Sequence, residues 1–110
     1  MADDTPNDPK DSTWVALFHE PGPDAPANAS LFEHPSFVQH LAFLERMRAL
    51  GFLVASGPIA GPPGGGMTIL RLPGSDRLQD VARLATEEDP SVASGFMKVS
   101  LRPWKVLLAE

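Results

Sequence analysis

Residues 40–58 constrain the fold of this 110-residue chain more than any other stretch. They read His-Leu-Ala-Phe-Leu-Glu-Arg-Met-Arg-Ala-Leu-Gly-Phe-Leu-Val-Ala-Ser-Gly-Pro, and their hydrophobic period changes halfway. Phe37, His40, Leu41, Leu44, Met47 and Gly51 recur at three- and four-residue spacing, which is one face of a helix. Gln39, Glu45 and Arg46 fall towards the other side. Gly51 supplies a stop, because glycine takes a positive φ at a helix end without steric cost. Phe52 to Ala55 is then a short apolar run ending at Ser56-Gly57-Pro58, the pattern of a buried strand closed by a turn. A helix feeds directly into a strand, and one histidine sits in the middle of the helix's apolar face.

The other elements are read outward from there. Thr13 to Phe18 is a β-prone apolar run, a central strand with His19 at its end. Residues 20–36 carry four prolines, too many for a regular helix over most of their length. They read equally as a binding loop or lid and as an insertion packed on the surface, with Leu31 and Phe32 as apolar anchors. Pro35 or Ser36 starts the following helix. The glycine- and proline-rich stretch from Ile59 to Gly66 lacks the Lys-Ser/Thr that closes a phosphate loop, and it also lacks the dinucleotide-binding glycine spacing. It reads as a flexible hairpin connection into a strand at Met67–Leu72. Ser75 and Asp76 are capping residues, and Asp76 with Gln79 has the spacing of a capping box. Leu78, Val81, Ala82 and Ala85 make the apolar stripe of a second helix over Asp76–Glu88. Asp89-Pro90 stops it, since the residue before proline avoids the α region. Ser91 to Gly95 is a turn or a single helical turn. Phe96 to Arg102 alternates, with Met97, Val99 and Leu101 on one face. Pro103 bends that strand or marks an edge, and Trp104 to Leu108 resumes as a short apolar run.

The order strand, helix, strand, strand, helix, strand predicts an α+β, ferredoxin-like fold: an antiparallel four-stranded sheet with two helices on one face. It occupies residues 13–110 behind an acidic, proline-containing tail, residues 1–12, read as disordered. With 43% hydrophobic residues and two helices to cover them, the other sheet face is expected to be buried in a homodimer. The chain has 14 acidic and 9 basic residues, a formal charge of −5, which argues against a nucleic-acid partner. The absence of cysteine excludes disulfides, thiolate metal sites and a cysteine nucleophile, and fits a reducing compartment. No apolar run approaches the roughly 20 residues that span a bilayer. The first residues carry acids where a secretion signal carries bases. A cytoplasmic chain with no membrane partner is the expectation.

Few residues carry chemistry. His40 on its apolar face reads either as a core histidine or as a general acid or base. Asp89 reads either as a capping residue or as a charge partner. His19 reads as part of a cleft or as a surface imidazole, and His34 before Pro35 as solvated. The positions 19, 34 and 40 match no pattern of two metal ligands on one helix face, so no metal is expected. Ser56 lacks the context of a nucleophile elbow, which argues against a hydrolase triad.

Taken together, several pieces resemble one family. They are His40-Leu41, Leu44, Gly51 and Gly57-Pro58; Gly65-Gly66-Met67; Asp89-Pro90-Ser91-Val92 with Gly95; and Arg102-Pro103-Trp104. Their order and spacing resemble the YciI-like (YCII-related) family across roughly Trp14 to Leu108, and Leu17-Phe18-His19 with Pro21-Gly22-Pro23 resembles one of its subgroups. The resemblance implies the dimeric α+β barrel, in which two ferredoxin-like sheets close on each other. It also implies a His–Asp acid–base pair in a cleft, at His40 and Asp89. Members often carry an arginine about one turn before that histidine. Phe37 and Val38 stand there instead, so binding of an anion is not carried over. His19, Ser56, Gly57 and Pro58 are expected to contact the substrate, and no cofactor is expected. Two functions are compatible with this pattern. One is a cofactor-independent lyase- or isomerase-like proton transfer on a small hydrophobic or aromatic molecule. The other is a non-catalytic dimer that binds a small ligand in the same cleft.

Overall fold

The computed structural model describes residues 12–25, 34–62 and 64–109. Its elements are β1 (Thr13–Pro21), α1 (Phe37–Ala49), β2 (Leu53–Pro58), β3 (Gly66–Leu72), a 3₁₀ turn at Ser75–Arg77, α2 (Leu78–Thr86), α3 (Pro90–Ala93) and β4 (Met97–Trp104). The strands lie in the order β2-β3-β1-β4, every pair antiparallel. This is the ferredoxin-like arrangement that the sequence order predicts.

The pleat sorts the side chains. Val15 and Leu17 of β1 and Leu70 and Leu72 of β3 point to the helices and are fully buried. Phe43 and Met47 of α1 and Val81, Leu84 and Ala85 of α2 close over them, with Phe52 at the edge. Alternate residues point the other way. Trp14, Ala16, Phe18, Met67, Ile69 and Trp104 make an apolar face that no described helix covers. Phe18 and Trp104 are nearly half exposed there, and the Trp14 and Trp104 rings meet edge to face at 6.1 Å.

Several boundaries differ from the sequence reading, each for a local reason. β1 continues to Pro21, because Glu20 and Pro21 pair with Lys98 and Met97 of β4. His19 therefore lies inside the strand and not at its end. The start of the long connection is fastened as well: the Gly22 and Asp24 N–H groups donate to Phe96 and Gly95 carbonyls. Leu31, Phe32 and the tail through residue 11 lie outside the described residues.

Gly51 does take a positive φ of 81°, with its N–H on the Arg48 carbonyl and that of Phe52 on the Met47 carbonyl. The strand after it is not buried, however. β2 pairs only with β3 and is an exposed edge. The Asp76–Gln79 capping box is not formed. A 3₁₀ turn occupies Ser75–Arg77, and the Arg77 N–H goes to the Gly74 carbonyl. β4 runs through Pro103 to Trp104 and no further. As an edge strand it tolerates a residue without N–H.

Candidate functional site

α1 buries His40, Phe43 and Met47 on the side that meets the sheet. Phe43 belongs to that stripe although it is absent from the face assigned by spacing, whereas Leu41 is largely exposed. The stripe carries His40 over the ends of β1 and β3, where the sheet becomes polar. Asp89 arrives from the far side. Pro90 holds it in an extended conformation, φ −90° and ψ 109°, between α2 and α3.

Asp89 does two jobs at once. Its Oδ1 accepts the Ser91 N–H at 3.0 Å and the Ser91 hydroxyl at 2.6 Å, capping α3. Its Oδ2 lies 2.7 Å from His40 Nδ1. One oxygen of the carboxylate thus caps α3 while the other meets His40. Sequence reasoning missed Ser91, although an Asp-Pro-Ser run is the pattern of a cap with proline at the first helical position.

His40 is 2% exposed. The rings of His19, Phe37 and Phe43 surround it, with centroids at 4.6, 5.5 and 5.8 Å. In the uncharged ring, an Nδ1–H donating to Asp89 leaves the lone pair on Nε2. Among the described residues nothing bonds to Nε2. His40 borders a cleft of about 220 Å³. Phe37, Leu41, Leu44, Pro58 and Met67 supply its apolar walls, Gly57 and Gly66 leave room, and His19 and Ser56 are its other polar groups. The described lining includes no Asp, Glu, Lys or Arg. Asp89 does not border this cleft. It lies behind His40 with its side chain fully buried, and a separate groove between α1 and α2 passes on its outer side. Of the two, His40 is the one that borders the cleft.

A chain of side chains crosses the sheet floor. His19 Nε2 lies 3.1 Å from Thr68 Oγ1, which lies 2.7 Å from Ser56 Oγ. The register explains the chain. Thr68 pairs with Leu17 on one side and Ser56 on the other, so His19 is its diagonal neighbour on the same face. Gly66, directly opposite His19, contributes no side chain. Thr68 was not singled out in the sequence; its signal is a polar residue at the inward period of Gly66, Leu70 and Leu72.

Burial and the neighbouring His40 charge push the His19 pKa down to about 4, against a smaller upward pull from Asp89. The unfolded imidazole binds a proton near pH 6.5 and the folded one near 4. Between those values the unfolded state holds more protons, so stability falls as the pH falls. The His19 share of that loss is about 3 kcal/mol by pH 4. Urea titrations from pH 7 to 4 should show this slope, and His19→Gln should flatten it; equal slopes in the two proteins would contradict it.

His34 is not part of the cleft. It is half buried rather than solvated: its Nδ1 accepts the Ser36 N–H at 3.1 Å and its ring lies against Phe96 at 4.7 Å. The Ser36 side chain makes no cap bond; the Val38 and Gln39 N–H groups go to the Pro35 and Ser36 carbonyls instead. Among the described residues no three His, Asp or Glu side chains are placed to hold a metal. No described helix is long and apolar enough to cross a membrane.

No protein-family model matches this chain, and no curated protein matches it in sequence. Solved structures do resemble it. One is the 5-chloro-2-hydroxyhydroquinone dehydrochlorinase TftG from Burkholderia phenoliruptrix AC1100, in complex with 2,5-dihydroxybenzoquinone. It is 19% identical, with a TM-score of 0.54 over 83% of this chain and 93% of that one. Another is a dimeric ferredoxin-like protein from an uncultured marine organism, 7% identical, with a TM-score of 0.51 over 94% and 95% of the two chains. At these identities the likeness is one of fold.

Proposed function

We propose that this chain is a YciI-like, cofactor-independent enzyme that moves a proton on a small, uncharged, hydrophobic or aromatic molecule. The observation that carries the reading is the 2.7 Å contact of His40 Nδ1 with a fully buried Asp89, on a histidine that borders an apolar cleft. A surface His–Asp pair would gain little. Here the carboxylate fixes the imidazole tautomer, aims Nε2 at the cleft and stabilises the imidazolium that forms when Nε2 takes a proton. In an isomerisation His40 returns that proton to a second atom of the same molecule. In an elimination it takes the proton while the leaving group departs with the bonding electrons, and the proton is then released to solvent. The lining suits a neutral ring, and TftG, which shares the fold, acts on a small oxygenated ring. The sequence resemblance points to the same His–Asp pair.

Native mass spectrometry of the purified protein, followed by crystals grown with 5-chloro-2-hydroxyhydroquinone, tests the site. The expected result is a neutral ring seated against His40. A ligand seated elsewhere, with the cleft empty at saturation, would sink the reading. A ligand in the cleft that the protein never converts would favour the non-catalytic binding module instead.

The uncovered sheet face suits a homodimer of the α+β barrel type, a surface that the marine neighbour, described as dimeric, makes reasonable. Sedimentation at micromolar concentration should give a dimer, and Phe18→Glu with Trp104→Glu should give a folded monomer. A monomeric wild-type chain would refute this assembly.

A further inference from the structure

The cleft has a hydroxyl in its wall that the proposed proton transfer leaves unused. Ser56 lies on β2, is exposed and lines the cleft. It pairs with Thr68 across the ladder, so the two side chains share the face turned to the helices. Their oxygens are 2.7 Å apart, which fixes the direction of the Ser56 side chain. It stands on the side of the sheet where α1 carries His40.

The bonds behind Ser56 set what it can offer. Thr68 has one hydroxyl proton and two neighbours, Ser56 Oγ at 2.7 Å and His19 Nε2 at 3.1 Å. The shorter length is usual for O–H···O. The longer one is long for a hydroxyl donor but ordinary for N–H···O. Thr68 thus accepts from His19 Nε2–H and donates to Ser56 Oγ. Burial keeps the His19 ring uncharged, so only one of its nitrogens carries a proton. Ser56 receives the Thr68 proton as an acceptor and keeps its own proton to give. Among the described residues the Ser56 hydroxyl has no second partner. The relay from His19 therefore ends in a donor, at a wall of the cleft.

We propose that the Ser56 hydroxyl donates to a carbonyl oxygen of the ligand, so that the molecule on which His40 acts is a neutral carbonyl compound with an apolar body. His40 and Ser56 border the same cleft of about 220 Å³, and one small ring filling it meets both. Their chemistry is complementary. His40 Nε2 takes a proton from the carbon beside the carbonyl. The C–H electron pair forms a C=C bond, and the carbonyl π pair moves onto oxygen. That oxygen becomes a stronger acceptor as the proton leaves, so the Ser56 bond tightens along the reaction. Return of the proton from His40 to the same molecule closes the balance. The inference rests on the reading of this cleft as the site of proton transfer by His40 and adds the class of molecule it takes.

The test titrates the full chain with acetophenone and α-methylstyrene, following cleft resonances by NMR. The two have one shape, and a methylene replaces the carbonyl oxygen in the second. Ser56→Ala is expected to weaken acetophenone about three- to tenfold, the net worth of a bond exchanged with water, and to leave α-methylstyrene unchanged. Ser56→Thr, which keeps the hydroxyl, should restore the affinity for acetophenone. The carbonyl carbon-13 resonance of bound acetophenone should lie further upfield in Ser56→Ala than in the wild type, because the carbonyl is then less polarised. Nitrogen-15 spectra of the wild-type imidazoles should show His19 protonated on Nε2, a readout that needs no variant. An equal change for both probes in Ser56→Ala means that Ser56 acts through shape, and overturns its role as a donor. No change for either probe overturns it too and leaves the cleft intact as a site. A proton found on His19 Nδ1 reverses the relay and overturns it as well. If neither probe perturbs the cleft, the site reading fails with it.

Discussion

His40→Asn is expected to lower turnover of any substrate of this cleft by about 10²–10⁴-fold, the usual contribution of a positioned acid or base. Asparagine keeps a polar group of similar reach but cannot exchange a proton at neutral pH, so ligand affinity should change only a few-fold. Asp89→Asn separates orientation from chemistry. Its amide oxygen can still accept both Ser91 donors, which preserves the cap. Its NH₂ then faces His40 Nδ1, which must become an acceptor. The proton moves to Nε2, and the cleft is offered a donor where a base is needed. The loss should approach that of His40→Asn with the protein fully folded, as in the serine-protease triad, where the corresponding Asp→Asn change costs about 10⁴. Steady-state rates and ligand affinities of the two variants check this. Turnover within tenfold of wild type in His40→Asn would remove His40 from the chemistry.

The parts of the molecule that could be read from its sequence are those governed by near neighbours. The helix at α1, the stop at Gly51 and the alternation of Met97, Val99 and Leu101 each reflect local geometry and appear in the structure, although the buried face of α1 takes in Phe43 and leaves Leu41 out. Strand order is different. Phe52 to Ala55 is apolar enough for a central strand, yet β2 is an edge, because edge or centre is decided by which distant strand pairs with it. The capping box failed for a related reason. Asp76 and Gln79 have the right spacing, but a 3₁₀ turn at Ser75–Arg77 satisfies the Arg77 N–H with the Gly74 carbonyl instead. Of the cleft, His40, His19 and Ser56 could be named as residues, and Asp89 behind it. What tied them together could not. Thr68 and Ser91 are the connectors, and a hydroxyl between two distant partners leaves no periodic trace. That Asp89 stands behind His40, rather than at the cleft, follows from the burial of α3 against α1 and has no sequence signature.

Asp89→Ala should destabilise the fold by about 3–5 kcal/mol, the range for breaking a buried pair by removing one partner. Three donors converge on this carboxylate: the Ser91 N–H, the Ser91 hydroxyl and His40 Nδ1–H. Both Asp89 and Ser91 are essentially inaccessible to solvent, so water cannot take over these bonds without opening the structure. An unpartnered buried donor costs about 1–3 kcal/mol, and the lost cap adds about 1. The terms overlap, since Ser91 can reorient its hydroxyl, and this keeps the sum below the simple total. A domain of this size has only about 5–15 kcal/mol in all. Asp89→Ala should therefore lie near the threshold of unfolding at 37 °C, with α3 and the Asp89–Ser91 turn opening first, because this carboxylate carries their hydrogen bond to α1. Ser91→Ala should cost only about 1 kcal/mol, since it removes one of the three donors and leaves the carboxylate paired with His40. Asp89→Asn should fall between them, closer to wild type. Urea midpoints with unchanged slopes would give the order wild type, Asn, Ala at position 89. A fully stable Asp89→Ala protein would mean that the carboxylate is held there for function alone, at no benefit to the fold.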